Sequence, residues 1–134
     1  MDWTKFEETA GVVFKDKALL KQAFTHRSYI NENRASGFEH NERLEFLGDA
    51  VLELVITDYL YGRFKEMNEG EMTSLRSALV NADTCARVAQ GLGANDFLLL
   101  SKGESKDTGR ARQYILANTL EAIIGAIYLD QSYE

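Results

Sequence analysis

Three carboxylates, Glu42, Glu45 and Asp49, fall within the segment Asn41-Glu42-Arg43-Leu44-Glu45-Phe46-Leu47-Gly48-Asp49-Ala50-Val51-Leu52. On a helix, at about 100° per residue, they stack within an arc of roughly 60°. Like charges at i, i+3 and i+4 repel one another by a few tenths of a kcal/mol per pair, so something must offset them. A hard divalent cation taking oxygen ligands is one answer. A solvated face that pairs with Arg43 and other neighbours is the other. A second polar pair, Asn118 and Glu121, repeats the i, i+3 spacing amid Ile115, Leu116, Ala117, Leu120, Ala122, Ile123, Ile124, Ala126 and Ile127. A helix this apolar is buried on most sides, and a glutamate inside it is costly unless paired or metal-bound. Packing it against the Glu45/Asp49 helix would let Glu45, Asp49, Asn118 and Glu121 share one ion. Spacing alone leaves both answers open.

Other chemistries fit less well. The only histidines are His26 and His40, too few nitrogen ligands for a zinc site. His26, in Thr25-His26-Arg27-Ser28-Tyr29, reads as a structural hydrogen-bonding residue. A di-iron carboxylate bundle needs Glu-x-x-His, but Gly48 follows Glu45 at i+3 and Ile124 follows Glu121. The single cysteine, Cys85, has no histidine near it in sequence and reads as a small core residue.

The elements that must position these groups read as helical nearly throughout. Proline is absent, and no useful stretch alternates strictly between apolar and polar residues. Asp2 can cap a short helix to about Thr9, and Asp16 a second ending near Thr25. Tyr29 to Glu39 has the composition of a loop. From His40 to about Phe64 runs the longest periodic segment, with Leu44, Leu47, Val51, Leu54 and Val55 as its core-facing stripe. Glu66 to Gly70 reads as a polar turn before a helix over Met72–Val80. Asn81 or Asp83 can start the next, which stops at Gly91 or Gly93. A short apolar piece, Phe97–Leu100, and a polar loop, Ser101–Gly109, precede a final helix from near Arg112 to about Asp130.

A length of 134 residues, 45% hydrophobic and 27% charged, suits one globular domain. One cysteine forms no intrachain disulfide, which fits a reducing, cytoplasmic setting. No apolar run approaches the roughly 18 residues that span a bilayer, and the N-terminus lacks the basic and apolar regions of a signal peptide. The formal net charge of −6 argues against nucleic-acid binding when taken alone. It is reconciled if the acids cluster where cations reverse the local field and the basic residues are unevenly placed.

The run Asn41–Leu52 resembles the signature of the ribonuclease III family, N-E-R-L-E-F-L-G-D-[SA]-V-L, at every position. The resemblance continues in order through Thr25–Tyr29 upstream and Glu69-Gly70, Leu75-Arg76, Leu79-Val80 and Lys102-Gly103-Glu104 downstream. It ends on Ile115–Ala122 and Gly125-Ala126, so it covers almost the whole chain. It implies an all-α, compact multi-helix endonuclease domain of the bacterial type, spanning 1–134 and homodimeric.

Carried over position by position, the resemblance makes Glu45, Asp49 and Glu121 metal ligands, with position 118 as the fourth. Asp49 and Glu121 then serve catalysis, with Glu42 and Glu69 as outer acids lining the cleft. Phe46 matches an aromatic that plugs into the partner subunit. The family usually has Asp at position 118, where this chain has Asn. An amide oxygen can ligate a cation but brings no charge, so the departure bears on metal affinity and rate.

The implied reaction is hydrolysis of double-stranded RNA by water activated with Mg²⁺, for which Mn²⁺ can substitute, with no small-molecule cofactor and no membrane. Staggered cuts would leave 5′-phosphate and 3′-hydroxyl ends with short 3′ overhangs, as in rRNA and mRNA processing. Lys102, Lys106, Arg110 and Arg112 are the basic group read as contacting the duplex, mainly through phosphates and 2′-hydroxyls. The family's usual companion, a C-terminal double-stranded-RNA-binding domain, is not in this sequence; the alternatives are a truncation, which the abrupt end after Asp130 favours, and a protein that relies on the catalytic domain alone. The competing reading is a weakened or inactive RNA-binding scaffold of the same fold, supported by Asn118 alone.

Overall fold

The structure is a computed structural model that describes residues 2–34, 37 and 39–132. Its helices are α1 (Trp3–Ala10), α2 (Lys17–Ala23), α3 (Arg27–Glu32), α4 (Glu42–Arg63), α5 (Glu69–Leu79) and α6 (Ala82–Gly91). A 3-10 turn (Ala94–Phe97), α7 (Lys102–Lys106) and α8 (Arg110–Gln131) complete the chain. Among the described residues the only extended pairing is an isolated parallel bridge between Thr25 and Leu99, so the fold is all-α.

The helix starts follow local chemistry. Side chains of Asp2, Asp16 and Asn81 accept backbone N–H groups at the starts of α1, α2 and α6, satisfying donors that have no partner inside the helix. Asn68 and Glu71 form a reciprocal capping box. That box starts α5 at Glu69, three residues before the start expected from the apolar pattern.

α8 is the central element. Ile115, Leu116, Ala117, Leu120, Ala122, Ile123 and Ala126 are all buried, between α4 on one side and α6 on the other. One end of the core is aromatic: Phe6 meets Phe24 edge-on at 5.0 Å, and Trp3 stacks on Phe24 at 5.4 Å and on Phe97 at 5.8 Å.

α4 crosses α8 at two glycines. A Cβ built on Gly48 would lie 1.6 Å from the Glu121 carbonyl oxygen, and one on Gly125 would lie 2.3 Å from the Leu44 carbonyl oxygen. No side chain fits there, so the two backbones touch. This contact turns the α4 face differently from the expected stripe. Leu44 and Gly48 are buried, whereas Leu54 and Val55 are exposed, because the distal half of α4 packs on α5, which buries none of its own residues.

Two expected loops contain helices. Residues 27–32 and 102–106 form α3 and α7, each too short to hold in isolation. His26 caps α3: its Nδ1 accepts the Ser28 N–H at 3.1 Å. The loop expected over Tyr29–Glu39 also takes in Ala35, Ser36 and Phe38, which lie outside the described residues. The bridge between residues 25 and 99, with His26 N–H donating to the Leu99 carbonyl at 3.0 Å and Leu99 N–H to the Phe24 carbonyl at 2.9 Å, brings α7 alongside α3. Among the described residues no helix is long and apolar enough to cross a membrane.

Candidate active site

The backbone contact at Gly48 and Gly125 sets the acids of α4 beside the polar pair of α8. Glu42, Glu45, Phe46, Asp49, Asn118 and Glu121 line one open cleft of about 530 Å³. Glu45, Asn118 and Glu121 are half-buried; Glu42 and Asp49 are exposed.

The entry of α4 is pinned from behind. Asn41, buried, donates its side-chain amide to the Ala23 carbonyl at 2.8 Å, and its backbone N–H to the Thr25 carbonyl at 2.9 Å. Sequence reading passed over this role, since an Asn ahead of a helix reads as a cap and its side chain here caps nothing in α4. Glu42 is held at the cleft edge by Arg27 of α3, 2.9 Å away.

The electrostatics record mutual repulsion. Burial pushes the Glu121 carboxyl up to about 8, and a hydrogen bond with Asp49 and the charges of Asp49 and Glu45 add to the shift. Two carboxyl groups hydrogen-bond to each other only with a proton between them. Glu45 is raised in the same direction by burial, then by Glu42 and Asp49. Cys85, buried beneath on α6, is pushed up by burial and by the same two acids, Glu121 and Asp49; it is an inert core thiol.

Among the described residues no three of His, Cys, Asp and Glu stand close enough to hold an ion as they are. The donor set nevertheless suits a hard cation: three carboxylates and an amide oxygen on one wall, with excess negative charge that a proton or a cation must offset.

Other expected residues fall elsewhere. Glu69 does not line this cleft within one chain. It borders a separate hollow of about 240 Å³ with Thr57, Leu60, Tyr61, Met72, Thr73 and Arg76, because the capping box places it in the first turn of α5. Lys102, Lys106 and Arg110 are exposed. Arg112 is not: it is 7% exposed, and its guanidinium is spent on Asn95 Oδ1 at 2.7 Å and on the carbonyls of Glu104 and Ser105 at 3.0 and 3.1 Å. It has no free face for phosphate. Phe46 is 83% exposed and borders a second hollow, of about 550 Å³, shared with Leu19, Leu44, Leu47 and Leu129.

A helical domain with acids from two crossing helices on one cleft matches the family model described as Ribonuclease-III-like, over residues 16–134. The chain belongs to that family. It is 52% identical over 134 residues to Ribonuclease 3 of Oceanobacillus iheyensis, covering 100% of this chain and 59% of that protein. Ribonuclease 3 of Listeria monocytogenes is 47% identical over 132 residues, covering 98% of this chain and 58% of that protein. The chain thus spans less than two thirds of the curated relatives it matches. The nuclease domain of ribonuclease III from Campylobacter jejuni, described as flexible in a region involved in dimer formation, superposes with a TM-score of 0.89 at 43% identity. That match covers 98% of this chain and 88% of that one. Dicer from Pichia stipitis superposes at 0.65 with 29% identity, over 91% of this chain and 49% of its own.

Proposed function

We propose that this domain is an endoribonuclease that hydrolyses both strands of duplex RNA, leaving 5′-phosphate and 3′-hydroxyl ends with short 3′ overhangs, as a homodimer that uses Mg²⁺ or Mn²⁺. The observation that carries the reading is the convergence of Glu42, Glu45, Asp49, Asn118 and Glu121 on one cleft in a member of the ribonuclease-III-like family. Membership of that family supports a divalent-metal requirement.

Glu45, Asp49 and Glu121, with the Asn118 amide oxygen, would hold the cation. When bound, it neutralises phosphoryl charge, acidifies water and keeps attack in line. The proton that Glu121 and Asp49 share between their carboxyl oxygens in the metal-free protein would leave when the cation binds, and Glu42, fixed by Arg27, orients water at the cleft mouth. Among the described residues no serine, cysteine or histidine lines the cleft, which supports water as the attacking group. The exposed Phe46 beside an apolar hollow supports a two-fold pairing in which each chain's aromatic enters its partner's hollow. Glu69 would then act through the assembled pair.

The competing reading, a scaffold that binds RNA without cutting it, is favoured only by Asn118. Incubation of a long RNA duplex with the chain in Mg²⁺, in Mn²⁺ and in chelator separates the two. Short duplex products with 5′-phosphates, formed only with metal, are expected. Bound but uncut RNA under all three conditions would support the scaffold.

A further inference from the structure

We infer that Arg112 is a positioning residue for duplex binding: by capping the C-terminal carbonyls of α7 it holds Lys102 and Lys106 as a fixed pair of phosphate contacts beside the acidic cleft. The inference rests on the proposed function above.

The five residues of α7 cannot sustain a helix without external partners. Each end of α7 has them. At its start, the Ser101 hydroxyl accepts the Glu104 N–H at 3.1 Å, Ser101 N–H donates to the Ser28 hydroxyl at 2.9 Å, and Lys102 N–H donates to Glu32 Oε2 at 3.0 Å. At its end the Glu104 carbonyl accepts the Asp107 N–H at 3.2 Å, and the Ser105 carbonyl has no helical turn after it. Arg112 supplies both with one guanidinium nitrogen, while the other bonds Asn95.

The arrangement is costly in itself. Arg112 is buried, pairs with no carboxylate among the described residues, and leaves its Nε without a partner. A buried cation met only by neutral acceptors, with an orphan donor, is expensive. A core residue serving packing alone would be apolar, as Ile115 and Leu116 are. What Arg112 gives in return is the order it imposes on α7.

What it orders is charged and linked to the cleft wall. Lys102 and Lys106 are exposed and four residues apart, on one face of α7. The Ser28 hydroxyl that anchors α7 also lies 2.8 Å from His26 Nδ1. Arg27, next in the chain, grips Glu42. One polar chain therefore runs from the cleft wall through α3 and α7 to Arg112. A lysine pair fixed in space binds phosphates better than the same lysines on a mobile loop, because less freedom is lost on binding.

The test compares the parent with Arg112→Lys, Arg112→Met and the gentler Asn95→Ala, using single-turnover cleavage of a long RNA duplex in Mg²⁺ and amide hydrogen exchange. Expected is a half-saturating protein concentration raised about tenfold in the Arg112 variants, and less in Asn95→Ala. The rate at saturation should stay within about twofold of the parent, since the acids are untouched. The salt slope of binding should fall by up to about two, the number of phosphate contacts loosened. Amides 101–107 should exchange faster while those of 116–126 keep parental protection. Parental half-saturation in variants whose α7 amides have loosened would overturn the inference and leave the functional reading intact. Parental exchange at 101–107 would overturn it as well. Loss of protection across α8 in the Arg112 variants shifts the decision to Asn95→Ala, whose unchanged half-saturation with loosened α7 amides would also overturn it. A parent that neither binds nor cuts the duplex would overturn both.

Discussion

Asn118 shares its cleft with Glu45, Asp49 and Glu121 and contributes an amide oxygen where the family pattern has a carboxylate. Restoring the charge by Asn118→Asp should have opposite effects with and without metal. Without a divalent ion, a further negative group joins Glu121, which burial, and then Asp49 and Glu45, already push up to about 8, and stability should fall. With Mg²⁺ the added charged ligand should tighten binding, so the variant gains more stability from the ion than the parent does. Thermal unfolding with and without Mg²⁺, beside cleavage at limiting metal, reads both signs; identical responses in the two proteins would remove position 118 from the ligand set. At this scale the sequence was readable where spacing is periodic. Glu42, Glu45 and Asp49 on one face and Asn118 with Glu121 one turn apart are helical arithmetic, and the structure brings them to one cleft. Arg112 was not readable, because a lone arginine at the start of a helix looks solvated until Asn95 and the α7 carbonyls are folded around it.

The crossing of α4 and α8 is the element on which the cleft depends. Gly125→Ala would drive a methyl group into the Leu44 carbonyl, a backbone atom that cannot rotate away. The helices must separate, at a cost of about 1–3 kcal/mol, and the acids of α4 move away from Glu121. A lower unfolding midpoint together with lost cleavage is expected; a parental midpoint would mean the crossing is looser than the structure has it. A second junction, of α1 with α2, rests on Glu7, whose buried carboxylate accepts from Lys17 Nζ and from the Phe14 N–H, both at 2.6 Å. The Lys17 hydrogen bond, then the Phe14 N–H, holds its pKa below the ordinary glutamate value of 4.5. A lowered folded value means stability that is present above 4.5 and lost as pH falls through the folded value. Glu7→Gln should therefore be less stable than the parent at neutral pH, with the gap closing as pH drops below 4.5; a gap that stays constant with pH would rule out the carboxylate's charge as its source. Element by element, the long helices α4 and α8 were legible from periodicity, and the caps at Asp2, Asp16 and Asn81 from residue type. α3 and α7 were not, since helices this short are made by tertiary partners such as Ser28, Glu32 and Arg112 rather than by their own sequence. The exposed Leu54 and Val55 were misplaced for a related reason: the wheel of α4 does not say which arc its neighbours cover, and the chain leaves these two exposed while it buries Leu44, Gly48 and Leu60.

For the whole molecule, exposure of Phe46 at 83% beside an apolar hollow makes a single chain look incomplete. Phe46→Ala should weaken self-association by about 2 kcal/mol or more, some thirtyfold in dissociation constant, while leaving the helical content unchanged. Sedimentation over a concentration series checks this, and a parent that stays monomeric throughout would contradict it. The net charge of −6 sits uneasily with a polyanionic substrate, but four of the acids lie in one cleft, at Glu42, Glu45, Asp49 and Glu121, where a bound cation inverts the local field. The account as a whole stands on that cleft being where RNA is cut. Its most direct test is the end-labelled cleavage of a long RNA duplex in Mg²⁺ by the parent and by Glu121→Gln, with the fold of both followed by circular dichroism. The parent should give short duplex products with 5′-phosphate ends, and the variant, equally helical, should cut at least a hundredfold more slowly. Equal cleavage by the two proteins would contradict the account.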